Sequence, residues 1–230
     1  MDKNLNFLPA IILVAGLGIA LAVYVVRINA IVPSESDVSL LRPVSTADHL
    51  AGNPEAPVMV VTYSDIDCEY CKSFQEAMEQ VITDYGPNGS VAWVYRHFPL
   101  ADLHPYAASH AEASECATSL GGPAIFFRFI DALHQGAPGP NQFNPSGYPS
   151  VVKNLGLSQT DFESCLSGSM FEKRVADDYD NAIQIGAAGA PFSVILIKGH
   201  DPVPVSGSLP YLSLKKVIDA AIEKSAEPAS

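Results

Sequence analysis

Two cysteines three positions apart, Cys68 and Cys71, stand where an apolar run gives way to a helical pattern: Val58 to Phe74 reads VMVVTYSDIDCEYCKSF. At this spacing on a helix two residues share a face about one turn apart, roughly the Cα separation that a disulfide accepts. The pair can therefore open and close a short disulfide. Cys68 falls at the helix start, where unpaired N–H groups and the positive end of the macrodipole favour a thiolate, the nucleophilic form. Asp65, Asp67 and Glu69 set three carboxylates beside it against Lys72 and oppose the dipole. The expected Cys68 pKa is below the free-thiol value of about 8.5 without reaching the extreme low end.

Other chemistries for these residue types are weaker. A structural zinc site needs two further ligands, and Cys116 and Cys165 do not form a second close pair. These two are either buried free thiols packing as small hydrophobes or, as an oxidising compartment favours, a disulfide stapling helices. His97, His104 and His110 are not spaced to share one helical face, so hydrogen-bonding or surface roles outrank a metal. His97 can still tune the thiols if it lies close to them. Phe126, Phe127 and Phe129 read as core rather than as a substrate surface, and Asn88-Gly89-Ser90 as a turn.

The elements around the cysteines follow from periodicity. Val58 to Tyr63 is a strand buried on both faces, followed by a helix with Phe74, Met78, Val81, Ile82 and Tyr85 in register, stopped by Gly86-Pro87. Ser90 to Arg96 is a second strand, which completes a right-handed βαβ unit with a parallel pair. A helical block comes next: Pro105 to Leu120, then Ala124 to Gln135 with Pro123 at its first position, a loop from Gly136 to Pro149, a helix capped at Ser158, and one from Met170 to Ile185. Phe192 to Lys198 and Val203 to Val205 return to strand, and Tyr211 to Ile222 is a closing helix before a frayed tail. The pattern is an α/β domain interrupted by helices.

The compartment is encoded at the N-terminus. Phe7 to Val26 runs without a charge between Lys3 and Arg27, and twenty helical residues reach about 30 Å, the hydrocarbon thickness of a bilayer. An uncleaved anchor over residues 7–26 is expected ahead of a removed signal peptide, because the apolar run is long and Ile28-Asn29-Ala30 is a poor cleavage site. Residues 1–6 are then cytoplasmic and 27–47 a Pro- and Ser-containing linker, and residues 48–230 form the domain on the oxidising side. With 48% hydrophobic and 17% charged residues the chain can build a core, and its net charge of −12 argues against nucleic acid as a partner.

Three motifs in this order, Cys68-x-x-Cys71 after a strand, Tyr95-Arg96-His97-Phe98-Pro99-Leu100, and Gly186-x-x-Gly189-Ala190-Pro191 before a strand, resemble the DsbA-like thiol-disulfide oxidoreductases of the bacterial envelope. The likeness covers about residues 48–223. It implies a thioredoxin-like fold with an inserted α-helical domain, here at about 103–186. By that resemblance Cys68 is the nucleophile and Cys71 the resolving cysteine, with Glu69 and Tyr70 as the tuning dipeptide. Pro191 matches a cis-proline facing the disulfide, and Ala190 stands where many members carry Thr. The implied activity introduces disulfides into reduced, unfolded exported proteins, with a DsbB-like membrane partner to reoxidise the enzyme and no cofactor or metal. A reductase or isomerase of the same fold is the nearest competitor; the short linker has no room for the dimerisation domain of an isomerase, so a monomer is expected. A binding or metal-handling module is the alternative of a different class.

Overall fold

The apolar Val58–Ser64 run becomes the central strand of a five-stranded sheet in the computed structural model, which describes residues 37–137 and 143–228. The strands are β1 (His49–Gly52), β2 (Val58–Ser64), β3 (Val91–His97), β4 (Phe192–Ile197) and β5 (Val203–Ser206), in the order β1-β3-β2-β4-β5. Helix α1 (Glu69–Tyr85) crosses from β2 to β3, and these two strands are parallel from Val58↔Val91 to Ser64↔His97. The other three pairings are antiparallel. In the β2–β4 pair Tyr63 lies opposite Phe192. The ends of β2 and β3 and the beginning of β4 therefore meet at one edge, where the loop carrying Cys68 and the residues before Phe192 emerge.

Alternation along β2 divides the core. Val58 and Val60 pack with Phe74, Met78 and Val81 of α1 and with Leu214, Ile218 and Ala221 of α7 (Tyr211–Ser225). Val61 and Tyr63 pack on the opposite face with Val94, Ala182, Ile185 and Val194. Each fully buried aliphatic side chain contributes roughly 1.5–3 kcal/mol relative to exposure, so both faces hold the sheet rigid beneath the loop.

Among the described residues five α-helices lie between β3 and β4: α2 (Ala107–Gly121), α3 (Ile125–Gly136), α4 (Tyr148–Asn154), α5 (Gln159–Ser167) and α6 (Glu172–Gln184). This is the expected helical insertion, and the thioredoxin-like fold is as expected. Phe126 and Phe129 are fully buried, and Phe127 packs partly buried against the same cluster. Ser158 Oγ accepts from the Asp161 N–H, capping α5. A disulfide joins Cys116 of α2 to Cys165 of α5, with Cα atoms 5.9 Å apart.

Four local expectations change. Strand β1 was not expected; His49 pairs opposite Tyr95 and extends the sheet beyond β3. The linker expected over 27–47 is no tether from Asp37 onward, because Asn181 accepts from the Arg42 N–H at 3.0 Å and donates to the Leu40 carbonyl at 2.9 Å. Buried Arg96 holds the same segment through Asp48 at 2.8 Å and the Arg42 and Pro43 carbonyls. Pro123 precedes α3, whose N-cap is Ala124. The end of the expected Gly136–Pro149 loop is already helix, since Tyr148 begins α4 and buries with Val151 and Val152. Among the described residues no helix is long and apolar enough to cross a membrane, and the expected span at 7–26 lies outside them.

Candidate active site

Cys68 is the N-cap of α1, in extended conformation, and its carbonyl accepts from the Lys72 N–H at 3.0 Å. Cys71 lies in the first turn. Both are free thiols and both are buried, whereas Tyr70 between them is 71% exposed. Glu69, also exposed, places a carboxylate in the first turn. The Ala190–Pro191 peptide is cis, and the Ala190 carbonyl accepts from Cys68 Sγ at 3.7 Å. Cys68, Cys71, Ala190 and Pro191 thus converge at the sheet edge defined by β2 and β4.

The two thiols are strongly unequal. Cys68 is pushed down to about 6, first by a hydrogen bond from the Cys71 thiol and then, against the cost of burial, by the backbone N–H groups of Cys71 and Tyr70. The Asp65 charge works in the other direction. Cys71 is pushed far up by burial and by the neighbouring Cys68, although the Asp65 N–H points at its sulfur from 3.5 Å. At neutral pH Cys68 is thiolate and Cys71 thiol. Of the two sulfurs, Cys68 is the one whose surroundings favour the nucleophilic thiolate.

The loop between β2 and α1 is built around Asp65. Its carboxylate accepts from the Asp67 N–H and the Leu100 N–H, each at 2.8 Å, and from His104 Nδ1–H at 2.7 Å. Asp67 accepts from His110 Nδ1–H at 2.7 Å, and the Ile66 carbonyl from His134 Nε2–H at 2.9 Å. Two of the three acidic neighbours expected simply to oppose the helix dipole are thus buried and paired. The sequence reading missed these partners because the histidines lie roughly 40 to 70 residues away in the insertion, beyond any periodic signal. The signal available was the concentration of histidine in and around α2.

His97 stands apart from this group. Its backbone N–H donates to Asp178 at 3.0 Å, and its ring donates to Glu115 at 3.1 Å. Glu115 Oε1 also accepts from His49 at 2.7 Å and from Arg174. His97 therefore makes hydrogen bonds to a buried carboxylate and none to either cysteine among the described residues. Burial alone would raise the Glu115 carboxyl, yet hydrogen bonds from His49 and His97 hold it well below the usual range. Ligating atoms of His49, His97 and Glu115 lie within 4.8 Å of one another. The Arg174 guanidinium already supplies a cation to that oxygen, so Glu115 is satisfied as part of an ionic network, while the buried His97 Nδ1 has no partner among the described residues.

The arrangement supports thiol–disulfide exchange. In the oxidised pair an incoming thiolate attacks Cys68 Sγ, forms a mixed disulfide and displaces Cys71, which takes up a proton; a second thiolate attacks the incoming sulfur and releases Cys68 as thiolate. Two substrate thiols lose two electrons, and the cysteine pair gains them.

The chain belongs to the thioredoxin family, whose model, described as Thioredoxin, matches residues 45–220. Within that family its fold is that of the DsbA structures on which it superposes. The crystal structure of Wolbachia pipientis alpha-DsbA1 superposes with a TM-score of 0.69 at 22% identity, over 83% of this chain and 98% of that one. Pseudomonas aeruginosa DsbA2 gives 0.67 at 25% identity, over 80% of this chain and all of the other (100%). Oxidised BdbD from Bacillus subtilis gives 0.65 at 19%, over 84% and 98%. Among curated proteins, the chain is 34% identical over 195 residues to Na(+)/H(+) antiporter NhaA 1 of Salinispora arenicola, covering 78% of this chain and 28% of that protein. It is 35% identical over 173 residues to NhaA 3 of Salinispora tropica, covering 74% and 25%. The chain thus spans about a quarter of the length of these curated relatives.

Proposed function

We propose that the protein is a dithiol oxidase, anchored by residues 7–26 with its domain on the extracytoplasmic side, that introduces disulfides into reduced, unfolded exported proteins through Cys68–Cys71. The observation that carries this reading is the placement of free Cys68 at the start of α1, beside the buried Cys71 thiol and the cis Ala190–Pro191 peptide, surroundings that push the Cys68 thiol down to about 6. A stabilised thiolate lowers the energy of the reduced enzyme and makes Cys68 a good leaving group, so electrons flow from substrate to enzyme. The buried Cys116–Cys165 disulfide is compatible with an oxidising compartment. A membrane thiol-oxidising partner, DsbB-like or equivalent, would reoxidise the pair. Exposed Tyr70 and Glu69, beside the half-buried Ala190 and the backbone ahead of buried Pro191, offer the surface for an extended substrate. The antiport in the names of the curated relatives is not carried over, because the shared stretch is about a quarter of their length.

Reduced, unfolded ribonuclease tests the reading. The oxidised protein should restore its activity in the presence of an oxidant, and Cys68→Ser and Cys71→Ser should each abolish this. Oxidation that survives both changes contradicts a catalytic role for the pair.

A further inference from the structure

Three consecutive residues of the active-site loop are each held by a histidine of the helical insertion: Asp65 by His104, the Ile66 carbonyl by His134, and Asp67 by His110. We propose that His104 is a positioning residue that sets the reactivity of Cys68 through Asp65, and that reduction of the Cys68–Cys71 disulfide draws a proton onto His104. The proposal rests on thiol–disulfide exchange and is independent of its net direction.

The three histidines are not equivalent. His134 donates to a neutral carbonyl, and burial pushes its pKa down. His110 is wholly buried among Tyr106, Phe143 and Tyr148, and its Nε2 has no partner. A proton there would leave an unpaired buried N–H, at a cost of about 1–3 kcal/mol. His104 alone combines a carboxylate partner with a solvent-reachable edge, its side chain being 11% exposed. It can therefore exchange protons without opening the fold.

Asp65 provides the link to the thiols. Its N–H is directed at Cys71 Sγ, and its charge opposes the Cys68 thiolate. A proton on His104 changes the Asp65–His104 pair from net −1 to neutral, and the thiolate gains accordingly. The coupling is reciprocal: a new thiolate at Cys68 must raise the proton affinity of His104. Other ionisable groups face this cluster from every side. They are Asp67 in the loop, Glu69, Lys72 and Glu76 on α1, Tyr95 on β3, His110 on α2, His134 on α3 and Asp178 on α6. Asp67 is already paired with the wholly buried His110, and the exposed Glu69 is screened by solvent. The redox-dependent change therefore falls on His104.

The test is an NMR titration of the histidine rings of the full chain, oxidised and reduced, with the His104 signal assigned by its loss in His104→Asn. Asn places an amide donor near the position of Nδ1 and cannot take up the proton. The expected result is a His104 midpoint about 0.5–1 pH unit higher in the reduced protein, less than the 1–3 units of a direct charge contact. In His104→Asn the Cys68 midpoint should rise above that of the parent. Equal His104 midpoints in the two redox states, or a Cys68 midpoint unmoved by His104→Asn, overturn the proposal. Ribonuclease oxidation by the parent is scored separately, so loss of the oxidase reading does not alter this outcome.

Discussion

At the scale of single residues the chemistry depends on how differently the two thiols are treated. Ultraviolet absorbance of the reduced protein should show one thiolate appearing with a midpoint near 6 and Cys71 remaining protonated throughout the neutral range. A midpoint at the free-thiol value of about 8.5 contradicts this. Away from the cysteines, Asp131 is pushed up to about 6 by burial and then by the Glu79 carboxylate, while Gln75 bridges the two. A raised folded-state pKa means that stability is complete below the unfolded value near 4 and is lost as pH rises through about 6. Asp131→Asn should therefore stabilise the protein at pH 7, by about 1 kcal/mol after allowance for solvent screening, and leave it unchanged near pH 4; denaturant melts at the two pH values check both. The sequence made Cys68 and Cys71 visible because their spacing is local, and Pro191 visible only through the resemblance of its motif to a known family. It could not reveal the histidines that hold Asp65 and Asp67, because those contacts exist only once the insertion folds back over the loop.

At the scale of elements, two tethers fix the frame. The Cys116–Cys165 disulfide closes a separation of 49 residues between α2 and α5, which in the chain-entropy account contributes about 4 kcal/mol. Replacing both cysteines by Ser should lower stability by about 2–4 kcal/mol in a urea melt, with the Cys68 titration left in place because neither residue touches it. The second tether is Arg96, fully buried, with Asp48, Tyr63 and the Arg42 and Pro43 carbonyls around it. Arg96→Leu leaves Asp48 a buried carboxylate without its main partner and should cost roughly 3–5 kcal/mol. The same contact explains why residues just before Asp48 were misread as linker. Their prolines and small polar residues carry no periodicity, and their order comes from Arg96 and Asn181, far along the chain. Short β1 and α4 were missed for a related reason: four and seven residues are too few for a period to show, and pairing with β3 or packing against α3 decides them.

At the scale of the whole molecule, a thioredoxin-like sheet presents the dithiol, and a helical insertion grips the loop that carries it. The strand–helix–strand order, the insertion and strand β4 were legible because long buried runs keep their period, and short, mostly exposed β5 because the Gly199-His200-Asp201 turn leads into it from β4. The direction of electron flow is a property of the entire site, summed over the helix start, the Cys71 thiol and the carboxylates behind it. Equilibration with glutathione reads that sum in one number. A potential between about −180 and −120 mV, the range of strong dithiol oxidants, is the expected result; one near −270 mV, typical of a reducing thioredoxin, would contradict the oxidase account.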